Sequence, residues 1–131
     1  MKTEDFRRWM DAYGASWVAQ RPEDKKSIFT EDATYMYTPF HPLIRGMKNI
    51  LSYSGNSARL QKDVEFHYQV LAVTEEYGLC RWFAAATWRE TEQRIRFDGI
   101  YQVFLNDDGK CYRFDEWWHS DPPLPVDISS R

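Results

Sequence analysis

The spacing of apolar residues changes near the middle of the chain, and this change constrains the fold more than any other feature of the sequence. Up to about residue 60, apolar side chains recur at three- and four-residue steps, whereas from Val64 onward they alternate at every second residue. Steps of three and four residues are typical of an amphipathic helix, and alternation is typical of a strand. The sequence therefore predicts an α+β domain with helices first and a sheet second.

The first half is predicted to contain three helices and one short strand. The first helix spans residues 3–20 and ends at Arg21-Pro22, and Pro22 then begins a short second helix that runs to about Phe29. A short strand over residues 33–38 leads into a loop that contains Pro39 and Pro42, and a third helix follows over residues 47–60. The stripe that the first helix buries comprises Phe6, Trp9, Met10, Tyr13 and Trp17.

The second half is predicted to form four long strands, over residues 64–74, 79–89, 94–105 and 111–119. The connections between them are short, and the last contains Asp108-Gly109, which is a strong hairpin signal. Short connections make neighbouring strands antiparallel, and strands of this length twist. We therefore expect a cone-like, curved antiparallel sheet with the short first strand added, whose concave side packs against the helices and encloses a pocket.

Composition limits the classes of molecule that the protein is expected to bind. Aromatic residues make up 17% of the 131 residues, more than a core of this size needs, and aromatics also line ligand pockets. The net charge of −3, without a basic stripe, argues against nucleic acid, and no apolar run is long enough to cross a membrane. The N-terminus lacks a signal-peptide pattern, which favours a cytoplasmic location. Residues 1–120 are predicted to form the domain, and residues 121–131 a proline-rich tail.

Histidine and cysteine spacings do not indicate a metal site. The spacings of His41, His67 and His119 do not match a metal-binding motif, and Cys80 and Cys111 are too few for a disulfide framework. Glycine-rich phosphate loops are also absent from the sequence. We therefore expect no metal and no cofactor.

Three strings in the chain resemble a known family. They are IFTEDATYMYTPF (28–40), HPLIRGMKNILSY (41–53) and FDGIYQVFLNDDGKCYRFDEWWH (97–119). In this order they resemble the nuclear transport factor 2-like superfamily, in its SnoaL-like branch, which includes ketosteroid isomerase, limonene epoxide hydrolase and scytalone dehydratase. The resemblance covers about residues 5–120. It implies a cone-shaped α+β fold, a hydrophobic pocket and frequent homodimerisation through the sheet.

The resemblance also implies candidate catalytic positions. Tyr13 and Asp98 fall where the isomerase has its oxyanion-binding tyrosine and protonated aspartate, and Tyr37 falls at the position of its base. Glu116 falls where the epoxide hydrolase has a pocket aspartate. The chain thus has some of the catalytic residues of each of these two enzymes but the complete set of neither. Tyrosine in particular is not a strong enough base for steroid isomerisation.

The residues themselves leave two interpretations of each acid open. Asp98 alternates with Ile100, Gln102 and Phe104. It is either a desolvated pocket acid with a raised pKa, or a hydrogen-bonded acid that caps a bulge or pairs with an arginine such as Arg96 or Arg113. Glu116 alternates with Tyr112, Phe114 and Trp118, so it is either a second pocket acid or part of a salt bridge at the mouth. Two carboxyls in one cavity separate their pKa values, giving one acid and one base. Asp115 is expected to be solvated.

Aromatic residues supply the candidate pocket walls, although plain core packing explains each of them equally well. The candidates for substrate contact are Trp17, Phe29, Tyr35, Phe40, Trp82, Phe104 and Trp118.

Three functional hypotheses follow. The first is a cofactor-independent enzyme that performs acid–base chemistry on a hydrophobic or aromatic metabolite, as an isomerase, dehydratase, cyclase or hydrolase. The second is a ligand-binding module without catalysis, and the third is an assembly domain. Each is expected to be a homodimer through the sheet face that carries Phe83, Tyr101 and Trp117.

Overall fold

Helices pack against one face of a single six-stranded sheet in the computed structural model, which describes residues 1–123. Helix α1 spans Thr3–Val18, a 3₁₀ helix spans Pro22–Ser27 and helix α2 spans Met47–Leu60. The strands are β1 (Phe29–Met36), β2 (Ile44–Arg45), β3 (Gln61–Val73), β4 (Gly78–Trp88), β5 (Arg94–Leu105) and β6 (Cys111–Asp121). The α+β architecture predicted from the change of period is confirmed.

The strand order is β2-β1-β6-β5-β4-β3. Strands β3 to β6 form the predicted antiparallel meander, and β1 pairs in parallel with β6. The segment after Pro39 and Pro42 was expected to be a loop throughout, but Ile44 and Arg45 pair with β1 as a short edge strand. The sheet is curved and does not close into a barrel, as expected for a cone.

Several element boundaries differ from the predicted ones. Strand β1 begins at Phe29 rather than residue 33, because its first residues pair irregularly with β6, which propensity alone does not indicate. The second helix is a 3₁₀ helix that ends at Ser27, and helix α2 has the predicted bounds. Most of the predicted proline-rich tail, residues 124–131, lies outside the described residues. No helix within residues 1–123 is long and apolar enough to span a membrane.

Close backbone contacts seat α1 on the sheet. A Cβ added to Gly14 would lie 2.6 Å from the Phe66 ring, and one added to Gly78 would lie 2.5 Å from the Phe6 ring. Glycine at these positions lets aromatic rings pack directly against backbone. The largest fully buried side chains, which lie between the helices and the sheet, include Phe6, Met10, Phe29, Ile50, Tyr101 and Phe114.

The alternation along β5 places Phe97, Tyr101 and Val103 on the buried inner face of the sheet. Tyr101 was expected on the outer face and is instead 1% exposed, because the register of β5 with β4 and β6 turns it inward. Phe83 and Trp117 do lie on the outer face. Asp115, which was expected to be solvated, is 4% exposed and accepts a hydrogen bond from Nε of Arg113 at 2.9 Å.

Candidate functional site

A cavity of about 70 Å³ lies between the helices and the inner face of the sheet. Helix α1, the 3₁₀ helix and helix α2 form its upper wall, and β4, β5 and β6 form its floor. Polar groups and aromatic rings share the surface, which is lined by Tyr13, Ser16, Trp17, Gln20, Pro22, Lys25, Tyr35, Tyr53, Ser54, Ser57, Ala58, Gln61, Trp82, Phe97, Tyr101, Glu116 and Trp118.

Glu116 is the carboxyl group of this cavity. It projects from the inner face of β6 between Phe114 and Trp118, and it is 5% exposed. Burial raises its pKa well above the usual value for a glutamate, while a hydrogen bond from Tyr35 and the charge of Lys25 oppose that shift. Because burial is the largest effect, the neutral carboxyl is favoured more strongly here than in an exposed glutamate.

A chain of tyrosine hydroxyls leads to this carboxyl. The hydroxyl of Tyr35 donates to Oε1 of Glu116 at 3.4 Å, and the hydroxyls of Tyr13 and Tyr35 lie 2.8 Å apart. Since Tyr35 gives its only proton to Glu116, Tyr13 is the donor in the second bond. Burial raises the pKa of both phenols, so the chain stays protonated and acts as a set of hydrogen-bond donors.

Lys25 supplies the cation of the cavity. It projects from the 3₁₀ helix, is 5% exposed, and its Nζ donates to Oγ of Ser16 at 3.1 Å. The ammonium lies 5.0 Å from the centroid of the Tyr13 ring, a cation–π distance. Burial lowers the pKa of Lys25 to about 8, against the opposing charges of Asp24 and Glu116. A lysine of this kind exchanges its proton close to neutral pH.

Six of the predicted site residues meet at this cavity: Tyr13, Trp17, Tyr35, Trp82, Glu116 and Trp118. Trp17 and Trp118 are only partly buried and stand where the cavity approaches the surface. The other four are buried. The indole N–H of Trp82 has no hydrogen-bond partner among the described residues.

Asp98 does not join them. Its carboxylate lies on the outer face of the sheet, is 47% exposed, and accepts two hydrogen bonds from Arg81 at 3.0 and 2.7 Å. Hydrogen bonding from Arg81 lowers the pKa of Asp98, the opposite of the direction expected for a desolvated pocket acid. The correction follows from the register of β5, which turns Asp98 outward together with Ile100, Gln102 and Phe104.

Four further candidates lie elsewhere. Tyr37 is buried beside the cavity, where its ring packs against Tyr53 and Trp118. Phe29 lies in the core against Phe114, so it is a packing residue. The Phe40 side chain is 99% exposed after β1 has ended, and Phe104 is covered on the outer face by Tyr77, Tyr112 and Arg113.

The most important residue that the sequence analysis missed is Lys25. Lysines in a short helix ordinarily face solvent, and the adjacent Lys26 does so. The available signal was position, because Lys25 stands three residues after Pro22 and four before Phe29, on the side of the helix that meets the core. Ser16 on α1 and Gln61 at the start of β3 were missed for the same reason, as polar residues on buried faces.

The polar groups that line the cavity suit proton transfer and hydrogen bonding to an oxygen atom. Among residues 1–123, no group of three or more histidine, cysteine or acidic side chains is placed to hold a metal ion.

Comparison with solved structures identifies proteins of similar fold. A protein from Bacillus subtilis assigned as an isomerase superposes with a TM-score of 0.80 at 16% identity, over 91% of this chain and 90% of that one. The epoxide hydrolase/cyclase-like enzyme SalBIII, of pyran ring formation in polyether salinomycin, superposes with a TM-score of 0.77 at 16% identity, over 90% and 94%. A protein from Jannaschia sp. CCS1 assigned as a SnoaL-like polyketide cyclase gives 0.76 at 6% identity, over 88% and 85%.

The chain has the fold of the nuclear transport factor 2-like superfamily in its SnoaL-like form, so the resemblance found in the sequence is confirmed at the level of the fold. No protein-family model and no curated protein sequence matches the chain. Since identities this low establish the fold alone, function has to be argued from the cavity itself.

Proposed function

We propose that this protein is an acid–base catalyst that acts on a small hydrophobic molecule carrying an oxygen acceptor, by isomerisation, dehydration, cyclisation or hydrolysis. The observation that carries the proposal is the burial of the Glu116 carboxyl in one cavity with the Lys25 amine. Burial raises the pKa of Glu116 well above its ordinary value and lowers the pKa of Lys25 to about 8. A buried acid and a buried amine whose pKa values are shifted in opposite directions suit proton donation and proton acceptance in one site.

Glu116 is the proton donor in this proposal. Its Oε1 accepts from Tyr35, and the side chain lines the cavity, where the neutral form can donate to a substrate oxygen. The Tyr13 and Tyr35 hydroxyls hold that carboxyl in place, and their hydrogen bonds stabilise the carboxylate that forms when Glu116 gives up its proton. Lys25 in its uncharged form accepts a proton, so the cycle needs no group beyond these side chains.

The volume of the cavity limits the substrate. About 70 Å³ accommodates roughly two water molecules at ~30 Å³ each, whereas a cavity that binds benzene has about 150 Å³. A molecule with a few non-hydrogen atoms fits without rearrangement. An aromatic metabolite fits once Trp17 and Trp118, the partly buried rings at the rim, move outward. The structural neighbours assigned as an isomerase and as cyclases support this range of reactions.

The test is exchange of α-protons in heavy water, followed by NMR with acetone and cyclohexanone as probes. We expect the wild-type protein to accelerate exchange and Glu116→Gln to lower the rate by about a hundredfold. Asp98→Asn is the matched control, because it changes a carboxyl on the outer face, and its rate is expected to stay within about twofold of wild type. Equal rates for wild type and Glu116→Gln would refute the role of Glu116.

The outer sheet face favours a second candidate function, assembly into a homodimer. Trp117 is 41% exposed and Leu71 is 48% exposed on this face, and apolar groups of this kind commonly mark interfaces. Light scattering at micromolar concentration tests it. We expect a dimeric mass for the wild type and a monomeric mass for Trp117→Lys, and a monomeric wild type would exclude this assembly.

A further inference from the structure

The same cavity holds a buried primary amine and a buried carboxyl, an arrangement that suits covalent as well as acid–base chemistry. We propose that Lys25 is a nucleophile that forms an imine with small aldehydes and ketones. The inference deepens the proposed function, on which it rests in taking the cavity as the substrate site. It names carbonyl compounds as the substrate class and gives Lys25 a covalent role.

Contacts around Nζ hold the amine without blocking it. Oγ of Ser16 donates its own proton to the backbone oxygen of Tyr13 at 2.8 Å, so toward Lys25 it acts only as an acceptor, at 3.1 Å. When Lys25 is uncharged, one of its two protons satisfies Ser16 and the nitrogen lone pair remains available. The Tyr13 ring, 5.0 Å away, supports the same position. Ser16 and Tyr13 therefore position the nitrogen along the cavity wall.

Burial keeps a useful fraction of this amine neutral. Burial lowers the pKa of Lys25 to about 8, so about a tenth of the amine is uncharged at pH 7, whereas an exposed lysine has an ordinary value of ~10.4. The groups that face Nζ are Ser16 and Tyr13 on α1, Asp24 on its own helix and Glu116 on β6. Of these, Asp24 lies toward solvent, paired with Arg21, and Glu116 lies within the cavity.

Each step of imine formation has its group in place. The Nζ lone pair attacks the carbonyl carbon, a C–N bond forms, and the C=O π pair moves to oxygen. A proton passes from nitrogen to that oxygen to give a neutral carbinolamine. Glu116 then protonates the hydroxyl, and the C–O bond breaks to release water as the nitrogen lone pair forms the C=N bond. The products are an iminium on Lys25, one water molecule and the Glu116 carboxylate, which is placed to accept a proton from the substrate.

Reductive trapping tests the proposal on the wild-type protein. Acetone and sodium cyanoborohydride at pH 7 convert an imine on lysine into an isopropyl amine, and mass spectrometry of chymotryptic peptides locates it. We expect Lys25 to be modified at least about tenfold faster than Lys26, its exposed neighbour. Equal rates at the two lysines, or slower labelling of Lys25, would overturn the proposal.

Two variants separate this proposal from the acid–base function. Lys25→Arg keeps the charge but cannot form the imine, so the rapidly formed adduct should disappear while the slow labelling of Lys26 is unchanged. Glu116→Gln should slow labelling of Lys25 several-fold through loss of the proton donor. A Lys25 adduct without α-proton exchange supports imine formation and refutes the acid–base function. Exchange of α-protons that depends on Glu116, without an adduct on Lys25, supports the acid–base function and refutes imine formation.

Discussion

The hydroxyl of Tyr35 lies 3.4 Å from Oε1 of Glu116, across the parallel pairing of β1 with β6. Tyr35 stands opposite Phe114 in that pairing, so the phenol reaches the carboxyl two residues farther along the same strand face. The first strand in the sequence thus supplies the hydrogen bond that holds an acid on the last strand.

Replacing Tyr35 by Phe should destabilise the protein by about 1–2 kcal/mol, since both Tyr13 and Glu116 lose a buried hydrogen-bond partner. The bond from Tyr35 lowers the pKa of Glu116, so its loss should raise that pKa further. Urea unfolding measures the first effect and carbon-13 NMR of labelled glutamate measures the second. Tyr112→Phe, at an exposed tyrosine, is the control and should change neither.

Replacing Glu116 by Gln should alter the pH dependence of stability. A pKa raised on folding means that the folded protein retains a proton that the unfolded chain releases above its ordinary pKa of 4.5. Wild-type stability due to this group is therefore complete below that value and declines as pH rises toward the folded pKa. We expect Glu116→Gln to gain at least about 1 kcal/mol over wild type between pH 5 and pH 8 in thermal unfolding. Parallel profiles would contradict this.

Replacing Lys25 by Met should act in a different pH window. The pKa of Lys25 falls from 10.5 to about 8 on folding, so below pH 8 the folded protein carries the full cost of a buried ammonium, of order 3 kcal/mol. Wild-type stability recovers as pH rises from 8 to 10.5 because the folded state loses its proton first. Lys25→Met should therefore be the more stable at pH 7, with an advantage that shrinks by pH 10. A constant difference would exclude this reasoning.

Replacing Gly99 by Ala should be severely destabilising, by several kcal/mol. A Cβ there would lie 2.7 Å from Nε1 of Trp82 and 2.8 Å from Cβ of Trp118, and would also overlap the backbone oxygen of Trp117. Gly55→Ala is the matched control, since nothing lies within 4 Å of a Cβ at that helical position. We expect it to stabilise α2 by up to about 1 kcal/mol. Equal midpoints in urea for the two variants would refute the contact argument.

Replacing Asp98 by Asn should leave the cavity unchanged and cost no more than about 1 kcal/mol, because the pair with Arg81 is half exposed and screened by solvent. The pKa of Asp98 is lowered by Arg81, so this small contribution is present above the ordinary pKa of 3.8 and is lost as pH falls through the folded value. Urea unfolding at pH 7 and pH 3 measures the difference. A loss of several kcal/mol at pH 7 would show that Asp98 has a structural role the ion pair does not explain.

The architecture could be predicted because the change of period and the short connections are local properties of the sequence. Which face of β5 points inward could not be predicted, because both faces carry large apolar side chains. Ile95, Phe97 and Tyr101 lie inside, and Ile100 and Phe104 lie outside. Alternation then shows which residues share a face but leaves open which face meets the helices. For this reason Asp98 was expected in the pocket, whereas the structure places it on the outer face.

Alternation along β6 groups Glu116 with Phe114 and Trp118, and the structure places Glu116 in the wall of the cavity. Lys25 could not be identified in the same way. Its burial depends on how α2 and α1 pack against the 3₁₀ helix, and these are contacts between separate elements rather than a local property of the sequence. Alternation along β1 also could not show that Tyr35 rather than Tyr37 bonds to Glu116, since the two tyrosines share one face of that strand.

Strand β6 lies between β1 and the rest of the sheet, so the cavity depends on contacts between the first and the last parts of the chain. Until β6 is in place, β1 has only the short β2 as a neighbour, and the helices have no acid beneath them. A cut in the hairpin between β5 and β6 would separate Glu116 from every other polar group of the cavity. Two fragments divided there would recover the site only by recombining, so this hairpin is a natural place to split the protein into a complementation pair.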